Sequence, residues 1–229
     1  HVSYPPEKII TEVEQCVNDG CKEIWLTGQD TSCYGVDTGK NLPWLLNKLY
    51  NIEGDFKIRL GMANPKHVKN YVRELIEVYH NKKMFRFLHI PVQSGNNEVL
   101  SAMKRGYTIE EFKQIVTTFR KEFPDITLST DIICGFPNET KQQFEETLEL
   151  LKELAFDSIY FSRFAPRPGT FAAKMTGQIS SNEKKSRSKT LTELFKTTAL
   201  ERNKQWMDWQ GTIIIDERGS NNTFVGRNY

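Results

Sequence analysis

His89-Ile90-Pro91-Val92-Gln93-Ser94-Gly95 decides how this chain is read, together with Thr130-Asp131-Ile132-Ile133-Cys134-Gly135-Phe136-Pro137-Asn138-Glu139-Thr140 about forty residues further on. Each begins as an apolar, strand-like run. Each ends in clustered polar groups and glycine, and an amphipathic helix follows. A polar cluster where a strand hands over to a helix is where a βα-barrel carries its active site. Two such clusters in register predict one mouth lined by several strand ends, and hence a ligand site.

Working outward, strand and helix alternate. Strands are predicted at Glu23–Thr27, Phe56–Leu60, Phe85–Ile90, Thr127–Cys134 and Ser158–Ser162. Helices are predicted from Pro5-Pro6 to Val17 and at Leu42–Tyr50, Val68–Tyr79, Asn97–Met103, Ile109–Phe123 and Lys141–Leu154. This alternation implies parallel strands joined by right-handed crossovers. Five strands are too few for a closed eight-stranded barrel, which leaves a partial barrel or an open doubly wound sheet. Neither a Gly-x-Gly-x-x-Gly turn nor a P-loop occurs, which weakens the nucleotide-binding sheet. After Gly177 the character changes. Asn182–Trp209 reads as a long charged helix, followed by strands at Gly211–Asp216 and Thr223–Gly226 around a Ser220-Asn221-Asn222 turn.

The bulk composition narrows the class. At 229 residues, with 38% hydrophobic and 26% charged side chains, the chain buries an ordinary globular core. Cys16, Cys21, Cys33 and Cys134 are scattered, which points to a reducing compartment and away from a disulfide framework. No apolar run is long enough for a bilayer span, and a cytoplasmic location is expected. The net charge of +2 is too small to argue for nucleic acid. Nine basic and six acidic residues from Ser181 onward leave that tail at +3. Such a tail attracts phosphate or, more simply, forms a solvated helix face, the reading favoured on charge alone.

Five strand ends share one design: Gly28-Gln29-Asp30, Met62-Asn64-Pro65, His89 with Gln93-Ser94-Gly95, Asp131 with Gly135, and Arg163 with the Pro166–Thr170 loop. Glycine lets a ligand approach the backbone. Carboxylate and amide groups suit ribose hydroxyls and an amino-acid moiety. Singly, each is a strand cap or turn; their coincidence points to a site. His89 reads equally as a half-buried strand cap and as a substrate contact. Arg163 and Arg167 bind phosphate or carboxylate, or form surface ion pairs. No metal set results from the cysteine spacings. Cys134 reads as buried filler, since no partner base accompanies it.

Together, these residues resemble the tRNA methylthiotransferases of the radical S-adenosylmethionine (radical SAM) superfamily. The matching pieces are Ser3-Tyr4-Pro5-Pro6-Glu7, Glu23 to Thr31, Tyr34-Gly35, Arg59 to Pro65, Leu88 to Gly95, Met103-Lys104-Arg105, Thr130 to Thr140 and Pro166 to Thr170. The Ile-Trp-Leu-Thr-Gly-Gln-Asp-Thr and Arg-Leu-Gly-Met-Ala-Asn-Pro runs are most similar to the archaeal and eukaryotic branch. That branch makes the 2-methylthio derivative of N6-threonylcarbamoyladenosine beside the tRNA anticodon. Rival readings are a sibling acting on isopentenyladenosine or on a ribosomal-protein aspartate, and a non-catalytic RNA-binding α/β module.

The resemblance implies an α/β fold: a partial (β/α) barrel of the radical SAM type over residues 1–178, a helical linker over 179–209, and from 210 the first strands of a TRAM domain, a small β-barrel that grips tRNA. It implies S-adenosylmethionine and two 4Fe–4S clusters as cofactors of the full-length protein. By position, Gly28 and Gln29 would sit by the methionine end of the cofactor. Gln93, Ser94 and Asp131 would lie near its ribose and sulfonium, and Gly135 and Phe136 near its adenine. His89, Arg163 and Arg167 fall to the substrate. The expected partner is tRNA; electron donor and sulfur source stay unidentified. The cluster-binding cysteine motif and the amino-terminal domain are expected to lie outside this chain, which is then expected to hold no cluster and to be inactive alone.

Overall fold

The computed structural model describes residues 2–228. His1 and Tyr229, the outermost residues of the expected barrel and tail, lie outside them. Five parallel strands form the centre: β1 (Glu23–Leu26), β2 (Lys57–Leu60), β3 (Phe87–His89), β4 (Thr127–Cys134) and β5 (Ser158–Arg163). β1 pairs with β2, and β4 lies between β3 and β5. The two sets are stitched together across β2 and β3. Ile58 and Met84 form a parallel bridge, Phe85 N–H donates to Ile58 O at 3.0 Å, and Ala63 N–H donates to His89 O at 2.9 Å. The order is therefore sequential, β1 to β5. A doubly wound sheet reverses its order at a switch point. A sequential order with right-handed crossovers keeps every helix on one face and gives an open barrel.

The helices on that face are α1 (Pro6–Asn18), α2 (Leu42–Tyr50), α3 (Pro65–Val68), α4 (Val72–Tyr79), α5 (Asn97–Ala102), α6 (Ile109–Glu122) and α7 (Lys141–Leu154). Their starts are written in the sequence. Capping boxes open α6 (Thr108 with Glu111) and α7 (Thr140 with Gln143). The Asn96 side chain accepts from Glu98 N–H and Val99 N–H to start α5. Strand alternation does the rest. Ile24, Ile58, Leu88, Leu128 and Ile159 are buried beneath the helices. Truncating Leu88 or Leu128, both 0% exposed, to Ala costs about 2–5 kcal/mol. Their alternating neighbours Trp25, Arg59, Phe87, Asp131 and Tyr160 take the opposite, concave face.

Three expectations need correction. The predicted helix at Val68–Tyr79 is two helices, because Lys69-Asn70-Tyr71 breaks it and Tyr71 is buried, its hydroxyl donating to Ser32 O at 2.6 Å. The predicted strand Phe85–Ile90 is shorter, because Phe85 turns to pair with β2. The charged helix is α9 (Ser181–Asn203), after the short α8 (Phe171–Lys174). It is not simply a solvated face. Arg187 and Leu191 are buried, and Phe195 meets Phe161 of β5 edge to face at 6.5 Å. Last come the antiparallel strands β6 (Ile214–Arg218) and β7 (Phe224–Arg227). This hairpin leaves Ile215 and Phe224 exposed and returns to β1 through Arg227 Nη1, 3.2 Å from Glu23 Oε2.

Candidate functional site

The site is built around an irregularity at Pro91. His89 stands opposite Ser129, yet Gln93 stands opposite Ile132. One extra residue has entered the β3 side of the ladder. Proline cannot donate to that ladder, so pairing lapses after Ile90 N–H and resumes at Gln93 N–H, which donates to Asp131 O at 2.8 Å. Thr130 fills the gap. Its Oγ1 accepts from Val92 N–H at 3.0 Å and donates to Ile90 O at 2.8 Å. The buried Tyr107 hydroxyl lies 3.1 Å from Pro91 O and 2.9 Å from Val92 O. The bulge forces Gln93 into a positive φ of 74°, a strained state that costs roughly 1 kcal/mol in a non-glycine residue. Bulges of this kind re-aim side chains next to functional sites.

Beside the bulge, His89 Nε2 lies 2.9 Å from Asp131 Oδ1, with the Tyr160 ring 5.8 Å from the imidazole. His89 and Tyr160 line a concave cavity of about 240 Å³ with Trp25, Arg59 and Phe87. The Arg59 guanidinium lies over both the Trp25 and Phe87 rings, at 4.8 and 4.2 Å. Carboxylate, imidazole and aromatic faces together can hold a planar, hydroxyl-bearing ligand.

The remaining predicted residues do not share one cavity. Gly28 and Gln29 are exposed and open into a separate space of about 360 Å³ against Ser3, Tyr4 and Tyr34. Asp30 ties that loop to the β2 end: its Oδ1 accepts from Ser32 N–H at 3.0 Å and Asn64 N–H at 3.4 Å. Ser94 is 1% exposed and faces Thr147 of α7, 3.5 Å away, so its hydroxyl belongs to helix packing. Gly95 is there for the same reason: a Cβ would stand 2.4 Å from Thr147 Cα. Gly135 has a left-handed φ of 77°, and the Lys184 side chain of α9 occupies the space a Cβ would need. Phe136 is buried and meets Phe164 edge to face at 5.2 Å. Arg163 and Arg167 are exposed and, among the described residues, form no ion pair.

Sequence reasoning missed a buried latch beneath Gly135. Glu139 Oε2 accepts from Gly135 N–H at 2.7 Å and from Arg187 Nη1 at 2.7 Å. Arg187 Nε donates to Glu183 Oε1 at 2.8 Å. Burial, the largest influence, holds the Glu139 carboxyl above its ordinary value. Nothing in the α9 charge pattern separates Arg187 from its exposed neighbours. The missed aromatic lining did carry a signal. Trp25 and Tyr160 stand at the strand positions where alternation asks for polar residues.

The sequence profile of the Radical SAM superfamily matches residues 1–151, two thirds of the chain. The chain belongs to the radical SAM superfamily. This radical SAM chain is 46% identical over 217 residues to a probable threonylcarbamoyladenosine tRNA methylthiotransferase of Pyrococcus horikoshii, covering 95% of this chain and 51% of that protein. It is 44% identical over 194 residues to the threonylcarbamoyladenosine tRNA methylthiotransferase of Drosophila melanogaster, covering 84% and 35%. It thus spans about half the length of the archaeal relatives. The radical SAM enzyme coproporphyrinogen III oxidase of Escherichia coli superposes with a TM-score of 0.60 at 18% identity, over 84% of this chain and 46% of that one, which shows the fold.

The superfamily works with S-adenosylmethionine and an iron–sulfur cluster. The described residues do not fit the cluster: they bring together no group of three metal-ligating side chains. Cys134 sits under α9 with its thiol pushed up to about 11 by burial. Asp131, with 31% of its side-chain surface open, has the carboxylate chemistry that ribose hydroxyls need, whereas Gln93 beside it is buried at 8% exposure and joins it through the backbone, Gln93 N–H donating to Asp131 O at 2.8 Å. Among the described residues, no helix is long and apolar enough to cross a membrane.

Proposed function

We propose that this chain is the S-adenosylmethionine-binding part of an enzyme that adds a methylthio group to C2 of N6-threonylcarbamoyladenosine in tRNA. One observation carries the reading: likeness above 40% to relatives of that name, archaeal and animal, runs over most or nearly all of the chain. It favours this substrate over isopentenyladenosine or a ribosomal-protein aspartate, and it favours an enzyme over a bare RNA-binding module.

Asp131 and Gln93 would hold the ribose, with His89 orienting the Asp131 carboxylate through their hydrogen bond. Gln29 would hold the methionine end, and the Gly135-Phe136 turn the adenine side. Bound in this family, the cofactor supplies a carbon radical and a methyl group. The concave aromatic face keeps water from the planar substrate. Arg163 and Arg167, exposed at the β5 end, meet the RNA. The β6–β7 hairpin, with apolar side chains still uncovered, supports the reading of the segment from 210 as the start of a TRAM domain. The clusters of the whole protein would be held by residues other than those described.

Deleting the gene for this chain and analysing the cell's tRNA nucleosides by mass spectrometry tests the reading. Loss of the 2-methylthio form, with the threonylcarbamoyl parent accumulating, is expected. An unchanged nucleoside profile refutes it.

A further inference from the structure

Two segments meet at the carboxyl ends of β4 and β5, the second carrying the Arg163 and Arg167 read above as meeting the RNA. One is Met103-Lys104-Arg105; the other is the loop that leaves Arg163 and reaches Phe171. They enclose a cavity of about 230 Å³ walled by Ile133, Phe136, Phe164 and Phe171. Phe171 is a large apolar side chain left 67% exposed. Lys104 Nζ stands 5.3 Å from its ring centre, carried there by a backbone with a left-handed φ of 57°. Arg105 lines the same cavity, and its Nε is buried without a hydrogen-bond acceptor. Pro166 and Pro168 stiffen the opposing loop.

Charge in these two segments is one-sided. Residues 101–107 and 163–176 carry Lys104, Arg105, Arg163, Arg167 and Lys174 and no carboxylate. A bare aromatic ring among unopposed cations matches single-stranded RNA, whose unstacked bases lie on aromatic faces while its phosphates meet Lys and Arg. Duplex RNA would use the cations and leave Phe171 without a partner, because its bases stay stacked.

We propose that this face grips an unpaired nucleotide of the RNA substrate, with the base stacked on Phe171 and its phosphates on Lys104 and Arg167. The proposal rests on the tRNA reading above and names where the RNA is held.

The test is tRNA binding by the full chain, followed by fluorescence anisotropy across a salt series. Phe171→Ala and Phe171→Leu are each expected to weaken binding about ten-fold without changing the salt slope. Lys104→Ala and Arg167→Ala are each expected to flatten the slope of log affinity against log salt by about 0.7. The Leu variant keeps apolar bulk at an already exposed position, and thermal unfolding matching the parent confirms its fold. Binding by the parent with unaltered affinity and slope in all four variants overturns the proposal and leaves the tRNA reading standing. Binding that a polyglutamate peptide competes as well as single-stranded RNA also overturns it. No tRNA binding by the parent chain overturns the proposal, while the tRNA reading stands or falls on the nucleoside profile of the deletion.

Discussion

Asp131 Oδ1 and His89 Nε2 stand 2.9 Å apart across the β3–β4 boundary, one strand residue from the bulge that holds Gln93 at a positive φ. Both side chains keep roughly a quarter of their surface open. The pair therefore contributes little to stability and is free to meet a ligand. Asp131→Ala is expected to weaken S-adenosylmethionine binding about ten-fold or more, with a stability change below about 1 kcal/mol. In a double-mutant cycle with His89→Ala the two losses should not add. Calorimetric titration of the four proteins checks this; additive losses would show that the histidine does not act through the carboxylate.

Thr130 tests the bulge itself. Thr130→Val keeps shape but strands Val92 N–H and Ile90 O, both buried. A loss of about 1–3 kcal/mol per stranded group is expected in chemical denaturation. Thr130→Ser should recover most of it.

The buried latch gives a pH-dependent outcome. Arg187→Ala leaves Glu139 buried without its counter-charge and is expected to cost about 3 kcal/mol at pH 7. Burial raises the Glu139 carboxyl in the folded state, so the folded protein holds this proton where the unfolded chain has lost it. The stability this group contributes is fully present below the ordinary carboxylate range and is lost as pH rises through the raised folded value. The Arg187→Ala deficit should therefore shrink on acidification. A deficit that grows toward pH 5 would contradict this sign.

The thiols rank themselves by environment. Cys21 is exposed, whereas Cys134 is buried with its pKa pushed up to about 11. At pH 8 iodoacetamide should reach Cys21 first and Cys134 roughly a hundred-fold more slowly. Peptide mapping by mass spectrometry reads the order directly.

Much of this was legible in the chain. The five strands follow from alternating apolar runs. Pro91 was legible as a strand breaker. The resumption of pairing at Gln93 was not, because it depends on Thr130 and Tyr107, donors and acceptors far away in sequence. Strand ends announced a rim. They did not announce that Gln29, His89 and Phe136 open into different cavities, since period-two patterns fix a face and not a curvature. Ser94 and Gly95 read as ligand-facing, and it took the approach of α7 to show that helix packing claims them. Arg187 read as one charge among many, because burial of a single guanidinium leaves no trace in a charge count.

α9 is pinned twice. Arg187 holds one end to Glu139, and Arg202 Nε holds the other to Asp157 Oδ1 at 2.8 Å. Fifteen residues of helix separate these pins, a rod about 22 Å long. It works as a fixed spacer between the Gly135 turn and the terminal hairpin. Cutting either pin would turn the spacer into a tether, and the distance it now sets would become a distribution.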